Sequence, residues 1–432
     1  MEKGERMRVW AAAFLLAWGV LAMAIRPDAG AARGADAPFL TGELIFPLGY
    51  LHTHASCVVE CPNGDLLACW YEGSGERTAD DVRILGARLR RGSRAWSAPF
   101  EMADTPGFPD CNPCMIIDPQ QRLWLFWPVI QANEWHTALL MSKRSSRYQR
   151  REGPPLWDRE KVVHLKPGPE FASTVAAAVE ADLRALQSRT SVEEPLRARM
   201  IAYLEQRRAR AADKYFSRLG WMPRAHPVIL DGKRMILPLY SDGFDFSLMA
   251  ITDDWGETWQ VSKPLVGDGP VQPTIARRRD GTLVAYFRDN GQPPKRLLTS
   301  ESRDGGFTWT PPRDTDLPNP GAGVEVINLR DGRWLLIYND TERGRHSLAV
   351  SISDDEGRTW KWTRHLEFNP PGPDALTFAY PSVIQARDGT IHATYSYSVP
   401  PHRAARDAHG RPLREAIRHV HFNLAWVEQG DR

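Results

Sequence analysis

Three copies of one eight-residue pattern recur along the chain at nearly equal intervals. Thr252–Trp259, Ser302–Trp309 and Ser353–Trp360 each read Ser/Thr-x-Asp-x-Gly-x-Thr-Trp, and their starts lie 50 and 51 residues apart. A fixed period of this length marks a repeat architecture rather than one irregular core. The pattern has the chemistry of a hairpin turn. The Asp carboxylate accepts backbone N–H bonds, Gly takes a positive φ, and Thr-Trp opens the next strand with an aromatic that packs between neighbours. Degenerate copies end at Trp96 and Trp157.

A second repeat lies between these boxes. Six β-rich runs fold back on themselves at tight turns: Ser56 to Trp70 at Asn63-Gly64, Pro113 to Trp127 at Pro119-Gln120, Pro227 to Tyr240 at Asp231-Gly232, Thr274 to Arg288 at Asp280-Gly281, Val324 to Asn339 at Asp331-Gly332, and Ser382 to Tyr397 at Asp388-Gly389. Each is followed by a third strand and, in five cases, by a box or its remnant leading to a fourth. Six four-stranded units of about 50 residues predict an all-β fold, a six-bladed β-propeller. Ile417 to Val427 is then the third strand of the last blade, and Glu43 to Phe46 supplies its outer strand and ties the ends. One stretch breaks the rhythm. Phe171 to Gln187 and Glu193 to Leu219, rich in Ala, Arg, Glu and Leu, predict an α-helical hairpin inserted over 170–219, with Pro195 near a helix start and Gly220 past a helix end.

Before the propeller, which occupies 38–432, residues 1–37 carry Arg6 and Arg8, an apolar run from Trp10 to Ile25, and small residues through Ala31 and Ala37. This is the layout of a signal peptide, so the chain is expected to be secreted or periplasmic; sixteen apolar residues are short for a span, and an uncleaved anchor is the alternative. Five cysteines lie between Cys57 and Cys114, and an odd count in an exported chain leaves at least one unpaired. Cys111-x-x-Cys114 has no second pair at zinc spacing, so these read as buried small residues, and neither metal nor cofactor is expected. With 55 Lys and Arg against 53 Asp and Glu, net +2, no excess positive field exists to neutralise nucleic-acid phosphates. Because 46 of those 55 are Arg, an arginine marks no site by itself.

The repeat predicts where polar groups converge. Residues just before the first strand and just after the second of each blade share one face, and the boxes fall on the other. The first position holds His54, Asn112, His226, Gln272, Glu325 and Tyr380; the second adds Glu72, Asp242, Arg288 and Asp289; loops entering third strands add Asp80, Asp81, Arg343 and Arg345. Such a set around one channel mouth points to a small-molecule or glycan site.

These boxes, with Gln272-Pro-Thr, Arg288, Asn319-Pro-Gly and Tyr380-Pro-Ser-Val-Ile-Gln, make the chain resemble the BNR/Asp-box sialidase-like proteins. The resemblance spans nearly the whole chain apart from the helical insertion. Sialidases of this fold hold the sugar carboxylate with three arginines, protonate the leaving group with an Asp, and use a Tyr nucleophile assisted by a Glu. It therefore implies Tyr380 as nucleophile, Arg288 and Arg345 (or Arg343) as clamps, and Asp81 (or Asp80) as acid/base. Asn112, His226, Glu325 and Asp242 are expected to line the substrate site. Two positions depart from the family pattern. His54 stands where the first clamp Arg belongs, and Gln272, which cannot take a proton, stands where the Glu belongs. The implied activity is exo-cleavage of a terminal acidic sugar. A hydrolase or lyase acting on uronate-containing polysaccharide, with Arg288 neutralising the carboxylate and a His or Tyr taking the proton beside it, and a non-catalytic glycan-binding propeller are the alternatives.

Overall fold

The computed structural model describes residues 37–189 and 192–431; the leader expected before Ala37 lies outside the described residues. Ala37 to the end form one compact unit. Six four-stranded antiparallel sheets are arranged as a six-bladed β-propeller, five of them in sequence order from inner to outer strand and the sixth completed by the first strand of the described chain. Blade one runs His52–Glu60, Leu66–Gly73, Arg83–Leu89, Phe100–Ala103; blade four runs Pro270–Arg277, Leu283–Asp289, Arg296–Ser302, Arg313–Pro318. Second strands are covered on both sides, and Leu123–Ile130 of blade two is buried at every position. That burial explains why these strands read as continuous apolar runs rather than alternating ones.

The ring closes as the repeat requires. In blade six the strand Leu40–Leu44 pairs antiparallel with Glu415–Phe422, from Leu40 opposite Phe422 to Leu44 opposite Arg418. The closing strand begins three residues before the expected Glu43, and the expected strand Ile417 to Val427 is interrupted. Asn423 accepts the Trp426 N–H and caps a short helix, Leu424–Glu428, which ends the strand at Phe422.

The boxes wedge between blades. Asp304 accepts the N–H groups of Phe307 and Thr308 and the hydroxyl of Ser302, and Gly306 holds a φ of +96°. A Cβ on Gly306 would stand 2.8 Å from Ile236 of the preceding blade, so the turn also needs a glycine for its close approach. Trp259 and Trp360 reach back in the same way, edge-on to Phe126 and Tyr286. Asp304→Ala is expected to cost about 1 kcal/mol, of the order of a lost capping residue. Denaturant titration reads this, and the folded fraction should keep full ligand binding, because register puts Ser302 opposite Leu283, at the far end of the strand from Arg288.

The insertion forms two helices, α1 (Glu170–Ser188) and α2 (Glu194–Ala212), with Pro195 in the first turn of α2, followed by a short α3 (Lys214–Arg218). The charge density of the segment suggests two helices packed outside the blade core and independent of it, but α1 joins that core. Phe171, Val175 and Val179 are buried in one cluster with Trp221, Phe244 and Phe246, the Phe171 ring 5.6 Å from that of Phe244. A Gly/Ser replacement of the hairpin would strip the cover from these aromatics. Phe171→Ala is accordingly expected to cost about 3–5 kcal/mol, measured as a fall in denaturation midpoint at constant slope.

All five cysteines are buried and free. Among the described residues no helix is long and apolar enough to cross a membrane.

Candidate active site at the channel mouth

The inner strands of blades one, four and six carry a bulge at the same place, between His54 and Cys57, Val271 and Thr274, and Ala379 and Ser382. At these bulges Ala55, Gln272 and Tyr380 have φ of 56°, 53° and 52°, and Asn112 of blade two has 39°. Three of the four precede a proline, which ordinarily drives its neighbour toward extended backbone. Left-handed non-glycine residues cost on the order of 1–3 kcal/mol each, and at the three bulges the extra residue changes the direction of the neighbouring side chains. In blades four and six the hydroxyl residue after the proline stitches neighbouring blades together. Ser382 Oγ accepts the Val58 N–H at 3.2 Å, and Thr274 Oγ1 accepts that of Val326 at 3.1 Å.

Five of the expected site residues meet. Tyr380, 8% exposed, accepts from Gln272 Nε2 at 2.8 Å and from Arg288 at 2.9 Å on its phenol oxygen. The Arg345 guanidinium lies 5.5 Å from the Tyr380 ring centre, and the His54 ring lies 4.3 Å away, tilted by 35°. Burial, reinforced by His52 and Arg345, holds His54 well below the ordinary histidine range, so it is neutral. Arg345 donates to the Gly321 carbonyl at 2.8 Å, whereas Arg343 is exposed. Asn112 donates to Tyr240 Oη at 3.1 Å beside this group. Buried Oδ1 of Asn112, Oε1 of Gln272 and Nε of Arg288 have no partner among the described residues, leaving hydrogen-bonding capacity for a ligand. A recess of about 270 Å³ opens over His54 and Arg345, lined also by His52, Glu76 and Glu415.

Two expected residues sit deeper. His226 donates its backbone N–H to Glu325 Oε1 at 2.9 Å, and its Nδ1 lies 2.7 Å from the same oxygen; Glu325 Oε2 accepts the Val383 N–H at 2.8 Å. On its other side His226 Nε2 lies 2.9 Å from the Val58 carbonyl and 3.3 Å from Cys57 Sγ. Burial opposes charge on each, yet Glu325 is drawn down by His226, and His226 is drawn up by Cys57 and Glu325. This is a charged plug joining blades one, three, five and six beneath the mouth.

The carboxylates divide. Asp81 accepts from the N–H and hydroxyl of Ser74 within its own turn, and Asp80 accepts from Asn133 of blade two, so both are engaged in a separate recess that also contains Glu72. Asp242 is reached by solvent but enclosed by the rim. Loss of surrounding water raises its carboxyl to about 6 although Arg288 pulls the other way. Glu76 was not among the expected residues. It accepts from Tyr71 Oη and stands 3.8 Å from His52 Nε2; burial would raise it, but hydrogen bonds from His52 and Tyr71 win and hold it at about 2. Arg224 was missed too. It is buried, donates to the Pro381 carbonyl at 2.7 Å and lies 5.0 Å from the Tyr380 ring centre, so three guanidinium groups surround that phenol. Its sequence signal was its place two residues before His226, at the entry to an inner strand.

A family model described as BNR repeat-like domain matches residues 64–178 and 205–393. No curated protein matches the sequence. Solved structures resemble the fold at low identity. A protein of unknown function from Dyadobacter fermentans is 14% identical, with 89% of this chain and 99% of that one covered and a TM-score of 0.63. A leech intramolecular trans-sialidase complexed with 2,7-anhydro-Neu5Ac is 13% identical, covering 90% and 71%, with a TM-score of 0.62. The NanB sialidase of Streptococcus pneumoniae is 12% identical, covering 89% and 71%, with a TM-score of 0.60.

Proposed function

The chain belongs to the BNR repeat-like domain family, and on that footing we propose that it is an exported, exo-acting glycoside hydrolase of the sialidase type, removing a terminal acidic sugar, sialic acid or a similar carboxylate-bearing unit, from glycans. The observation that carries this reading is the Tyr380 phenol oxygen held between Gln272 and Arg288 with further guanidinium groups at its ring. Arg288 and Arg345 are the groups suited to hold the sugar carboxylate, since a fixed guanidinium fork binds a carboxylate through paired charge-assisted bonds. A carboxylate nucleophile would be repelled by that same anion, whereas a neutral phenol is not. Gln272 orients the phenol and cannot deprotonate it, so the proton goes to another acceptor. Neutral His54, whose ring lies against that of Tyr380 and whose ring nitrogens have no hydrogen bond among the described residues, is the candidate base. For the leaving group, Asp242, with its carboxyl at about 6, retains a proton near neutrality in a way that Glu76 at about 2 does not. Asp81, the acid implied by the family pattern, would have to give up its bonds to Ser74.

One observation favours a second reading. A neutral histidine beside a tyrosine, with no carboxylate on the phenol, also suits β-elimination from a uronate. There His54 takes the proton beside the carboxylate, Tyr380 protonates the departing oxygen, and an unsaturated sugar results. A panel of sialosides and uronate polymers separates the two: released sugar without ultraviolet absorbance means hydrolysis, and absorbance of the unsaturated product means elimination. Binding without turnover on every member of the panel would leave a glycan-binding propeller.

Two further outcomes are expected. Arg288→Ala should weaken an acidic-sugar ligand roughly ten- to a hundred-fold, the value of one charge-assisted bond. Anion binding should also fall as pH rises through about 6, because Asp242 then ionises beside Arg288 and competes for it. Dissociation constants between pH 5 and 8, compared with Asp242→Asn, check this; equal slopes in the two proteins would remove Asp242 from the site.

A further inference from the structure

The helical insertion forms a second recess beside the mouth, and we propose that it binds neutral, hydroxyl-rich sugar units of the glycan, beyond the acidic residue held at Tyr380. This rests on the reading above and extends it from the terminal sugar to the chain carrying it.

The recess shares two chain segments with the mouth, the blade-three loop at Asp242–Asp245 and the strand end at Arg288–Asn290. Helix α2 lies on the blade-three loop Ser241–Phe246, where Arg210 donates to the Gly243 carbonyl at 2.6 Å and Tyr203 Oη donates to Asp245 at 3.3 Å. The other oxygen of Asp245 accepts from Asn290 Nδ2 at 2.7 Å. The same loop presents Asp242 to the mouth, and Asn290 lies two residues beyond Arg288. A ligand anchored at Arg288 therefore has its next units directed along a wall built by Asp242, Asp245, Asn290 and α2. The cleft between the helices and the loops at 267–268 and 290–293 has a volume of about 530 Å³, within the range of small-ligand sites.

Its chemistry selects the ligand class. Arg189, Arg199 and Arg207 are balanced by Asp182, Asp245 and Asp268, so the lining has no net charge and gives a polyanion no advantage. Paired cationic and anionic hydrogen-bonding groups suit vicinal hydroxyls, which donate and accept together. Tyr203 leaves 43% of its surface exposed and is stiffened by the Arg207 guanidinium, 4.9 Å from its ring centre, which presents an apolar platform for the C–H face of a pyranose. Arg207 is only 5% exposed, yet its Nε–H has no partner among the described residues. The side chains of Arg189, Arg199 and Asp182 likewise make no hydrogen bond among those residues, so the recess holds donors and acceptors that the fold does not consume.

The test needs no catalysis. The full chain is titrated with neutral tri- and tetrasaccharides of gluco, galacto and manno configuration, none bearing an acidic residue. At least one is expected to bind, with the same affinity for the wild type and for Arg288→Ala. Tyr203→Ala should weaken it tenfold or more. Arg199→Ala, at an exposed position whose side chain holds nothing in the fold, should weaken it several-fold with an unchanged melting temperature. The proposal is overturned if no neutral oligosaccharide binds, if both variants bind as the wild type does, or if Arg288→Ala abolishes binding and so places the neutral sugar in the mouth. Absence of turnover on every acidic sugar would defeat the hydrolase reading and leave this result standing.

Discussion

Tyr380→Phe is expected to lower turnover of the acidic-sugar substrate by about 10²-fold or more while changing the dissociation constant less than tenfold. The substitution removes one oxygen and keeps the ring that packs beside His54 and beneath Arg224 and Arg345. Arg288 and Arg345 remain to hold the carboxylate, so ground-state binding survives. What disappears is the atom that forms or breaks a bond in the transition state, and a group acting only there lowers kcat and kcat/KM together. Gln272 Nε2 and one Arg288 N–H lose their acceptor, which costs stability of order 1–3 kcal/mol and is read independently by denaturation. Single-turnover kinetics on the folded variant separates the two effects. Wild-type turnover in Tyr380→Phe, together with loss of activity in His54→Ala, would transfer the chemistry to the histidine.

The architecture was legible in the sequence because its signals are local. A box needs Asp for its turn bonds, Gly for its backbone and Trp for the neighbouring blade, and these needs recur at every blade where the turn is tight. The closing strand was legible only in outline. Its pairing from Leu40 rather than Glu43 follows from interstrand partners at the far end of the chain, and nothing near residue 40 announces it. The mouth was legible as a face but not in depth. His54, Gln272 and Tyr380 occupy the bulge, where the backbone turns left-handed at or beside them, whereas Glu325 enters its strand without one and hands its carboxylate to His226. Strand periodicity carries no coordinate along the channel axis, so the two kinds of residue look alike in the sequence. Asp81 illustrates a related effect. A loop carboxylate is free or consumed according to bonds a few residues away, here to Ser74, and composition cannot reveal that. The docking of the hairpin was hidden because the apolar stripe of α1, Phe171, Val175 and Val179, is short and set among alanines, which mark no face.

The depth of the His226–Glu325 pair leads to the second large effect. Glu325→Ala is expected to destabilise the fold by about 3–5 kcal/mol at pH 7, because removing one member of a buried pair strands the other. Three donors lose their acceptor at once: the His226 N–H, its Nδ1–H and the Val383 N–H. A loss of that size is a large part of the 5–15 kcal/mol that holds a typical domain together. If the Ala variant does not fold, Glu325→Gln retains an acceptor without the charge and should lie between it and the wild type. The pH dependence identifies the cause. In the folded protein Glu325 titrates below the ordinary glutamate value of 4.5, so its contribution is present above pH 4.5 and is lost as pH falls through the lower folded value. The stability gap between wild type and variant should therefore be no smaller at pH 5 than at pH 7, because the His226 charge that Glu325 supports favours the wild type further as pH falls through 6.5, and it should narrow only in stronger acid. A substrate-binding carboxylate would give the opposite pattern, with near-normal stability and weakened ligand binding. Chemical denaturation across pH, paired with one ligand titration at pH 7, assigns Glu325 either to the plug or to the site.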